Sequence, residues 1–401
     1  MPSPSLQVET AIPSRPMTSM KKPPTVGIIG GGQLSRMLCL AATQLGIPTA
    51  TLERKQNCPA ATVSGRHLVG DWNTIEALRA LRAESDLLTL ENEFVEAEAL
   101  EQLEREGAIL RPGSDCLRTI QDKLLQKQSL QAAGLPTPDF QATDSRAELD
   151  EAAERFGYPF VLKRRRNGYD GKGNFTVEDQ AMLDEGWSEL DGENHPLFAE
   201  AFCRFQSEIA IMVCRSSAGP QIHYPAVETI QKNHICHVVK APAALPSAVE
   251  DEAVRIANRA VSTVSGIGSV GVELFLTHDQ TFLVNELAPR VHNSGHYTID
   301  ACHCSQFENH LRAILGLPLG NPGLVRPAAV MINLLGDGLG RSYPSGVAEA
   351  LEVDGVHLHL YGKDRSQLGR KMGHLTVIGN SVDDALERAH RAAQPIRFIE
   401  T

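Results

Sequence analysis

A short apolar run, Val26-Gly27-Ile28-Ile29, meets Gly30-Gly31-Gly32, and a helical pattern opens immediately with Gln33-Leu34-Ser35-Arg36-Met37. A strand that breaks on glycines and feeds a helix must bury both elements against neighbours of the same kind, which is how a doubly wound α/β domain begins. The turn is one residue short of a dinucleotide fingerprint, because Ser35 stands where a third glycine would let helix and strand pack closely. Backbone N–H groups at such a helix start can hold a phosphate or a carboxylate, while a tight turn without a ligand is the alternative.

The alternation continues to about Pro112, with strands at Thr49 to Glu53 and Leu87 to Leu90. Between them Asn73 and Glu76 read as an N-cap and its box partner, followed by Ile75, Leu78 and Leu81 on one helical face. One helix is expected from Leu117 to Ala133, stopped by Gly134, Pro136 and Pro138. Strands follow at Pro159 to Lys163, Phe198 to Glu200 and Glu208 to Cys214. A helix with Val254, Ala257, Val261 and Val264 on one face precedes a hairpin, Val272 to Leu276 and Thr281 to Glu286, around Thr277-His278-Asp279-Gln280. Short strands at Val330 to Leu334, Val356 to Leu360 and Leu375 to Ile378 and a helix after Ser381 complete the pattern.

Three stretches carry chemistry. Lys163 ends a strand and leads into Arg164 to Asn174, where Gly168, Gly171 and Gly173 lie within six residues. A fixed ammonium facing a glycine-rich turn suits nucleotide phosphates over which a flap can close. Glu273 and Glu286 occupy the two hairpin strands with Asn285 beside them, and their apolar flanks argue against exposed strands. Paired carboxylates suit Mg²⁺, which takes a few hard oxygens and leaves room for phosphates. Arg290-Val291-His292-Asn293-Ser294-Gly295-His296 then offers a cradle for a small oxyanion. Near the end, Lys363, Arg370, Lys371 and His374 gather around Gly369 and Gly373, a cluster suited to a monophosphate.

Composition narrows the class. A chain of 401 residues exceeds one ordinary core, and a formal net charge of −11 argues against a nucleic-acid binder. Eight scattered cysteines read as reduced cytoplasmic usage, and Cys302-His303-Cys304 has no second ligand pair at zinc spacing. No run approaches the ~20 apolar residues that span a bilayer, so no membrane role is expected. Met1 to Thr25, rich in Pro and Ser, is expected to be a disordered leader outside the fold.

Together these residues resemble the 5-(carboxyamino)imidazole ribonucleotide synthase family over Val26 to Ile378. The resemblance rests on GGGQLSRM at Gly30, QDKLLQK at Gln121, NGYDGKGN at Asn167, NELAPRVHNSGHYT at Asn285, SQFENHLRAILGLPLG at Ser305 and GRKMGHLTV at Gly369. It implies a mixed α/β and α+β architecture, the ATP-grasp fold. The N-terminal α/β domain would be 26–120, the ATP-grasp domain 121–327 and a small β-rich C-terminal domain 328–401. It also implies ATP, Mg²⁺ (or Mn²⁺) and bicarbonate, which become carboxyphosphate before 5-aminoimidazole ribonucleotide takes the carboxyl group on its amine.

Carried onto matching positions, the ATP site comprises Lys123, Lys163, the loop Gly168-Tyr169-Asp170-Gly171-Lys172-Gly173-Asn174, and Glu200-Ala201-Phe202-Cys203. Glu208, Gln231, Asn285 and Glu286 complete it, with Glu208 on the ribose. Glu273 and Glu286 would hold the metal. Tyr169 and Asp170 would position the amine, and Arg290, His292 and Asn293 the bicarbonate. Lys363, Arg370, Lys371, Ser294 and Gln33 would take the ribonucleotide phosphate. A homodimer and a separate mutase acting on the product are further expectations.

The chain departs from the family at Ser35, at Phe94 within LENEFV, and at Gln367-Leu368 before the Gly-Arg-Lys. The alternatives are another ATP-grasp ligase, of the formate-dependent glycinamide ribonucleotide transformylase or biotin carboxylase type, an NAD-dependent oxidoreductase or nucleotide-binding sensor, and a catalytically dead binding relative.

Overall fold

The computed structural model describes residues 22–168 and 173–398. Among them, the first sheet is parallel, with β1 (Val26–Ile29), β2 (Thr49–Glu53), β3 (Arg66–Val69) and β4 (Leu87–Leu90) in the order β3-β2-β1-β4. Val26 to Ile29 are all buried, as a strand covered on both faces requires. Thr25 already pairs with Asp86 ahead of β1, its N–H donating to the Asp86 carboxylate at 2.7 Å. Ser35 finds its own use at the glycine turn, where its hydroxyl donates to the Gly30 carbonyl at 2.6 Å.

The second sheet is antiparallel: β5 (Phe140–Thr143), β6 (Phe160–Arg164), β7 (Asn174–Val177) and β8 (Leu197–Ala201), ordered β5-β8-β6-β7. The third has nine strands. They are β9 (Phe205–Arg215), β10 (Gln221–His223), β11 (Val227–Lys232), β12 (Ile235–Ala241), β13 (Gly268–Thr277), β14 (Phe282–Ala288), β15 (Ala328–Leu335), β16 (Val356–Leu360) and β17 (Lys371–Gly379). Its path runs β14-β13-β9-β11-β12-β15-β17-β16, so the C-terminal strands extend the central sheet through β12 and β15.

One face of this sheet is apolar. Ile209, Ile211 and Val213 of β9 and Val272, Leu274 and Leu276 of β13 bury against the helix Ser247–Thr263, which contributes Ala253, Ile256, Ala257 and Val261. The strand period of two then turns Glu208, Ala210, Gly271 and Glu273 to the opposite face.

Two local expectations are corrected. The segment expected as one helix from Leu117 to Ala133 is two, Ser114–Gln121 and Lys123–Ala132. Asp122 leaves helical geometry between them (ψ 102°) and caps the second by accepting from the N–H groups of Leu124 and Leu125. Asn73 is not an N-cap: the helix Ile75–Ala83 starts after Thr74, and the Asn73 amide oxygen accepts from the Glu96 N–H at 3.2 Å. A loop partner across the domain competes successfully with the local cap.

Candidate active site

The site is built on the polar face of the nine-stranded sheet. Glu273 and Glu286 are direct cross-strand partners, as the hairpin reading requires. They reach one face through a register shift: Glu273 pairs with Glu286 but Leu274 with Val284, which leaves Asn285 as the extra residue of a bulge. Without it Glu286 would share the core-facing side of Val284. With it, Phe282, Val284 and Leu287 all enter the apolar core while Glu286 faces the cleft.

Burial first, and then the charges of Glu286 and Glu208, push the Glu273 carboxyl well above the usual carboxylate range. Burial works against the Glu286 charge too, but the Lys123 ammonium hydrogen-bonds it and holds its carboxyl low. Both side chains keep an opening to the cleft, 27% exposed for Glu273 and 37% for Glu286. Two hard carboxylates, one disfavoured in its charged form by the other, fit a divalent cation of the Mg²⁺ type, with the Asn285 amide adjacent.

Lysines paired with Glu200 form a second group. Lys163 and Glu200 project from one face of the β6–β8 pair, since Lys163 is opposite Phe198 and Glu200 opposite Val161. Lys163 Nζ donates to Glu200 Oε1 at 2.8 Å, and Lys127 Nζ lies 2.9 Å from Glu200 Oε2 and donates to the Val284 carbonyl at 3.0 Å. Burial alone would raise the Glu200 carboxyl; the ammonium charges of Lys127 and Lys163 overcome it and hold it at about 2.

Lys127 was missed by sequence reasoning. The signal was available, because it stands four residues after Lys123 on one helix and so shares its face. Gly168 lines the same cleft as Lys123, Glu286 and Glu93, together with Phe94. Gly173 closes the turn through its carbonyl, which accepts from the Arg164 N–H at 2.8 Å, and Asn174 opens β7. Tyr169, Asp170, Gly171 and Lys172 lie outside the described residues.

Ala201 ends β8, and Phe202 follows with 42% of its surface exposed beside the half-buried Cys203. On β9, Glu208 accepts from Gln231 Nε2 at 2.7 Å, and burial raises its carboxyl. That pair stands on the same sheet face as Glu273.

Past β14, Arg290 is gripped by the Glu93 carboxylate, with Nη2 donating to Oε1 at 2.8 Å. Burial opposes the guanidinium charge, but Glu93 raises its pKa nonetheless. His292 Nε2 lies 3.6 Å from Glu273 Oε1. Burial, then the charges of Arg290 and Lys371, lower the imidazole to about 3, so the ring is neutral at physiological pH.

Its backbone is clamped by Gln306, which accepts from the His292 N–H at 2.9 Å and donates to the His292 carbonyl at 2.7 Å. Gln306 is another residue whose role was missed, because nothing local in SQFE indicates that it reaches back fourteen positions. Ser294 is buried and its hydroxyl lies 2.9 Å from His292 Nδ1, so it braces the imidazole. Asn293 is held by a reciprocal amide pair with Asn333 of β15, at 2.9 and 2.6 Å.

The expected phosphate cluster assembles only in part. Lys363 is buried, donates to the Lys371 carbonyl at 2.5 Å, and stands 5.7 Å from the Tyr361 ring centre. The Lys371 charge is felt at both Glu273 and His292. Arg370 instead donates to the Arg365 carbonyl of its own loop at 2.7 Å. Gln33 opens the first helix, whose Leu34 and Leu38 share a core with Tyr361 and Val291. That shared core brings the C-terminal loop against the N-terminal domain.

Family models match the chain at residues 21–121 (ribonucleotide synthetase preATP-grasp domain), 128–307 (ATP-grasp domain) and 329–388 (phosphoribosylaminoimidazole carboxylase C-terminal domain). The N5-carboxyaminoimidazole ribonucleotide synthase of Synechococcus elongatus is 41% identical over 379 residues, covering 94% of each chain. The phosphoribosylaminoimidazole carboxylase of Schizosaccharomyces pombe is 42% identical, and the chain spans 67% of its length.

Among solved structures, the N5-carboxyaminoimidazole ribonucleotide synthetase of Thermotoga maritima superposes with a TM-score of 0.86 at 36% identity, covering 94% of this chain and all of that one. An Aspergillus clavatus synthase in complex with ADP and 5-aminoimidazole ribonucleotide gives 0.85 at 34% identity, covering 93% of this chain and 98% of that one.

Proposed function

Because the chain belongs to the N5-carboxyaminoimidazole ribonucleotide synthase family of ATP-grasp ligases, we propose that it carboxylates the amine of 5-aminoimidazole ribonucleotide with bicarbonate, through carboxyphosphate, releasing ADP and phosphate. ATP-dependent carboxylation in purine biosynthesis is the activity of the family. The observation that carries the proposal is the meeting of Lys123, Lys163, Arg290 and His292 around Glu273 and Glu286, which stand on the polar face of the nine-stranded sheet.

Each residue then has a task. Lys163 and Lys123 place positive charge where a triphosphate is brought against an anionic acceptor, lowering the repulsion between them. Glu208 and Gln231 offer a paired acceptor and donor for ribose hydroxyls. Phe202 supplies an apolar edge for the base, next to the Glu200-to-Cys203 backbone. Glu273 and Glu286 would hold Mg²⁺, which would supply Lewis-acid charge stabilisation to the transferring phosphoryl group.

Arg290, fixed by Glu93, orients bicarbonate as a charged donor. Neutral His292, braced by Ser294 and Gln306, faces the same oxyanion as an uncharged hydrogen-bonding group. The loop through Tyr169 and Asp170 would close over the intermediate and exclude water, with Asp170 accepting the amine proton as the carboxyl group transfers. Lys363 and Lys371 would take the ribonucleotide phosphate, with Arg370 joining once it leaves its loop carbonyl. The product passes to a separate mutase, and the enzyme works as a homodimer; both rest on the family resemblance.

Substrate omission tests the reading. Full-rate ADP release should require ATP, Mg²⁺, bicarbonate and 5-aminoimidazole ribonucleotide together. Equal turnover with glycinamide ribonucleotide and formate, or with biotin, would transfer the chain to another ATP-grasp activity.

A further inference from the structure

The pairing of β16 with β17 puts histidines together that the reaction above does not use. His357 and His359 are two apart on β16 and therefore share a face, and their cross-strand partners are Thr376 and His374. Asp300, on the short helix Thr298–Ala301, reaches this face from outside the sheet. Its Oδ2 lies 2.8 Å from His359 Nε2, and its Oδ1 lies 3.6 Å from His357 Nδ1. The rings of His359 and His374 stack at 4.5 Å between centres. One donor atom from each of Asp300, His359 and His374 lies within 4.8 Å of the other two.

A second observation is independent of that spacing. His374 is completely buried, its Nδ1 is 2.9 Å from the Tyr361 hydroxyl, and its Nε2 has no hydrogen-bond partner among the described residues. The hydroxyl of buried Thr376, two residues on and on the same face, also lacks one. A buried polar atom left unpaired destabilises the fold, and here two such atoms line one patch. Burial, reinforced by His296 and His359, keeps the His374 ring neutral, the form that ligates metal.

We infer that Asp300, His359 and His374 form a binding site for a borderline divalent cation of the Zn²⁺ class, separate from the all-oxygen site at Glu273 and Glu286. Two imidazoles and one carboxylate are a donor set that Zn²⁺ and Co²⁺ prefer and Mg²⁺ does not. Tyr361 on His374 Nδ1 is the outer partner that fixes which ring nitrogen is presented. His357, beside the second Asp300 oxygen and 45% exposed, stands on the solvent side of the site. A cation there would tie β16, β17 and the Thr298–Ala301 helix together.

Co²⁺ titration of the chelator-treated full-length protein, without Mg²⁺ or nucleotide, tests the site, followed by visible absorption and by thermal unfolding with and without the metal. One equivalent should bind with the intense visible band of a low-symmetry nitrogen–oxygen site and should raise the unfolding temperature. His359→Asn and Asp300→Asn should each weaken binding at least about tenfold, while Glu273→Gln should leave the band unchanged. The two substituted positions are partly exposed, so their folding can be verified by circular dichroism. Co²⁺ binding that is absent, or that survives both substitutions but is lost in Glu273→Gln, would overturn the assignment.

Discussion

At the scale of single residues, Glu200 is the most informative. It is 3% exposed, yet charged, because Lys127 and Lys163 each lie within 2.9 Å of one of its oxygens. Its folded pKa of about 2 is below the ordinary 4.5, so its stabilising contribution is complete above pH 4.5 and is lost as pH falls toward 2. Glu200→Gln should therefore show a shallower loss of stability between pH 4.5 and 2 than the parent chain in urea unfolding at stepped pH; identical slopes would dismiss the triad as its source.

Glu286 makes a different point. Its carboxylate faces the cleft, outside the apolar core, so Glu286→Gln should retain the fold by circular dichroism and reduce ADP formation by a factor of at least about 100. Full turnover in that variant would remove Glu286 from the metal site.

At the scale of elements, strands β13 and β14 do more than carry two acids. Gly271 of β13 lies under His292: a Cβ there would come within 2.8 Å of the His292 Cβ. The absence of a side chain thus sets how closely the His292 turn approaches the sheet. Gly271→Ala should push the imidazole away from Glu273 and lower kcat by roughly ten- to a hundredfold with little change in the KM for ATP. A raised ATP KM at normal kcat would place the effect at the nucleotide instead.

The hairpin itself was readable from its apolar flanks and its turn, as was the strand that carries Lys163. The break at Asp122 was not, because Leu117, Ile120 and Leu124 keep helical spacing across it. What interrupts the helix is Arg165, whose Nη2 lies 2.7 Å from the Asp122 carboxylate, in a contact between residues 43 apart.

At the scale of the molecule, the central sheet unites what the sequence presents as successive domains. Strand β15 pairs with β12, and Asn333 on β15 supports Asn293 while donating to the Cys236 carbonyl at 2.8 Å. The C-terminal region is thus part of the scaffold of the turn that carries Arg290, His292 and Asn293. Asn333→Leu would remove the side-chain partner of the Asn293 amide, at roughly 1–3 kcal/mol for a buried polar group. Both the urea midpoint and kcat should fall; a loss of stability with unchanged kcat would show that Asn293 keeps its position without Asn333.

What the order of residues determined by itself is the local chemistry. Glycines that follow a strand, a lysine at a strand end, alternating apolar residues and a histidine–amide–hydroxyl run are dictated by neighbours within a few positions, and they remained readable along with the family. Tertiary structure decided which of these groups meet. The bulge at Asn285 turns Glu286 toward Glu273, Gln306 clamps His292, Lys127 joins Glu200, and Arg290 meets Glu93 across nearly two hundred residues. Such contacts depend on strand register and domain packing, which are settled by burying the whole apolar core at once rather than by any segment's own preference.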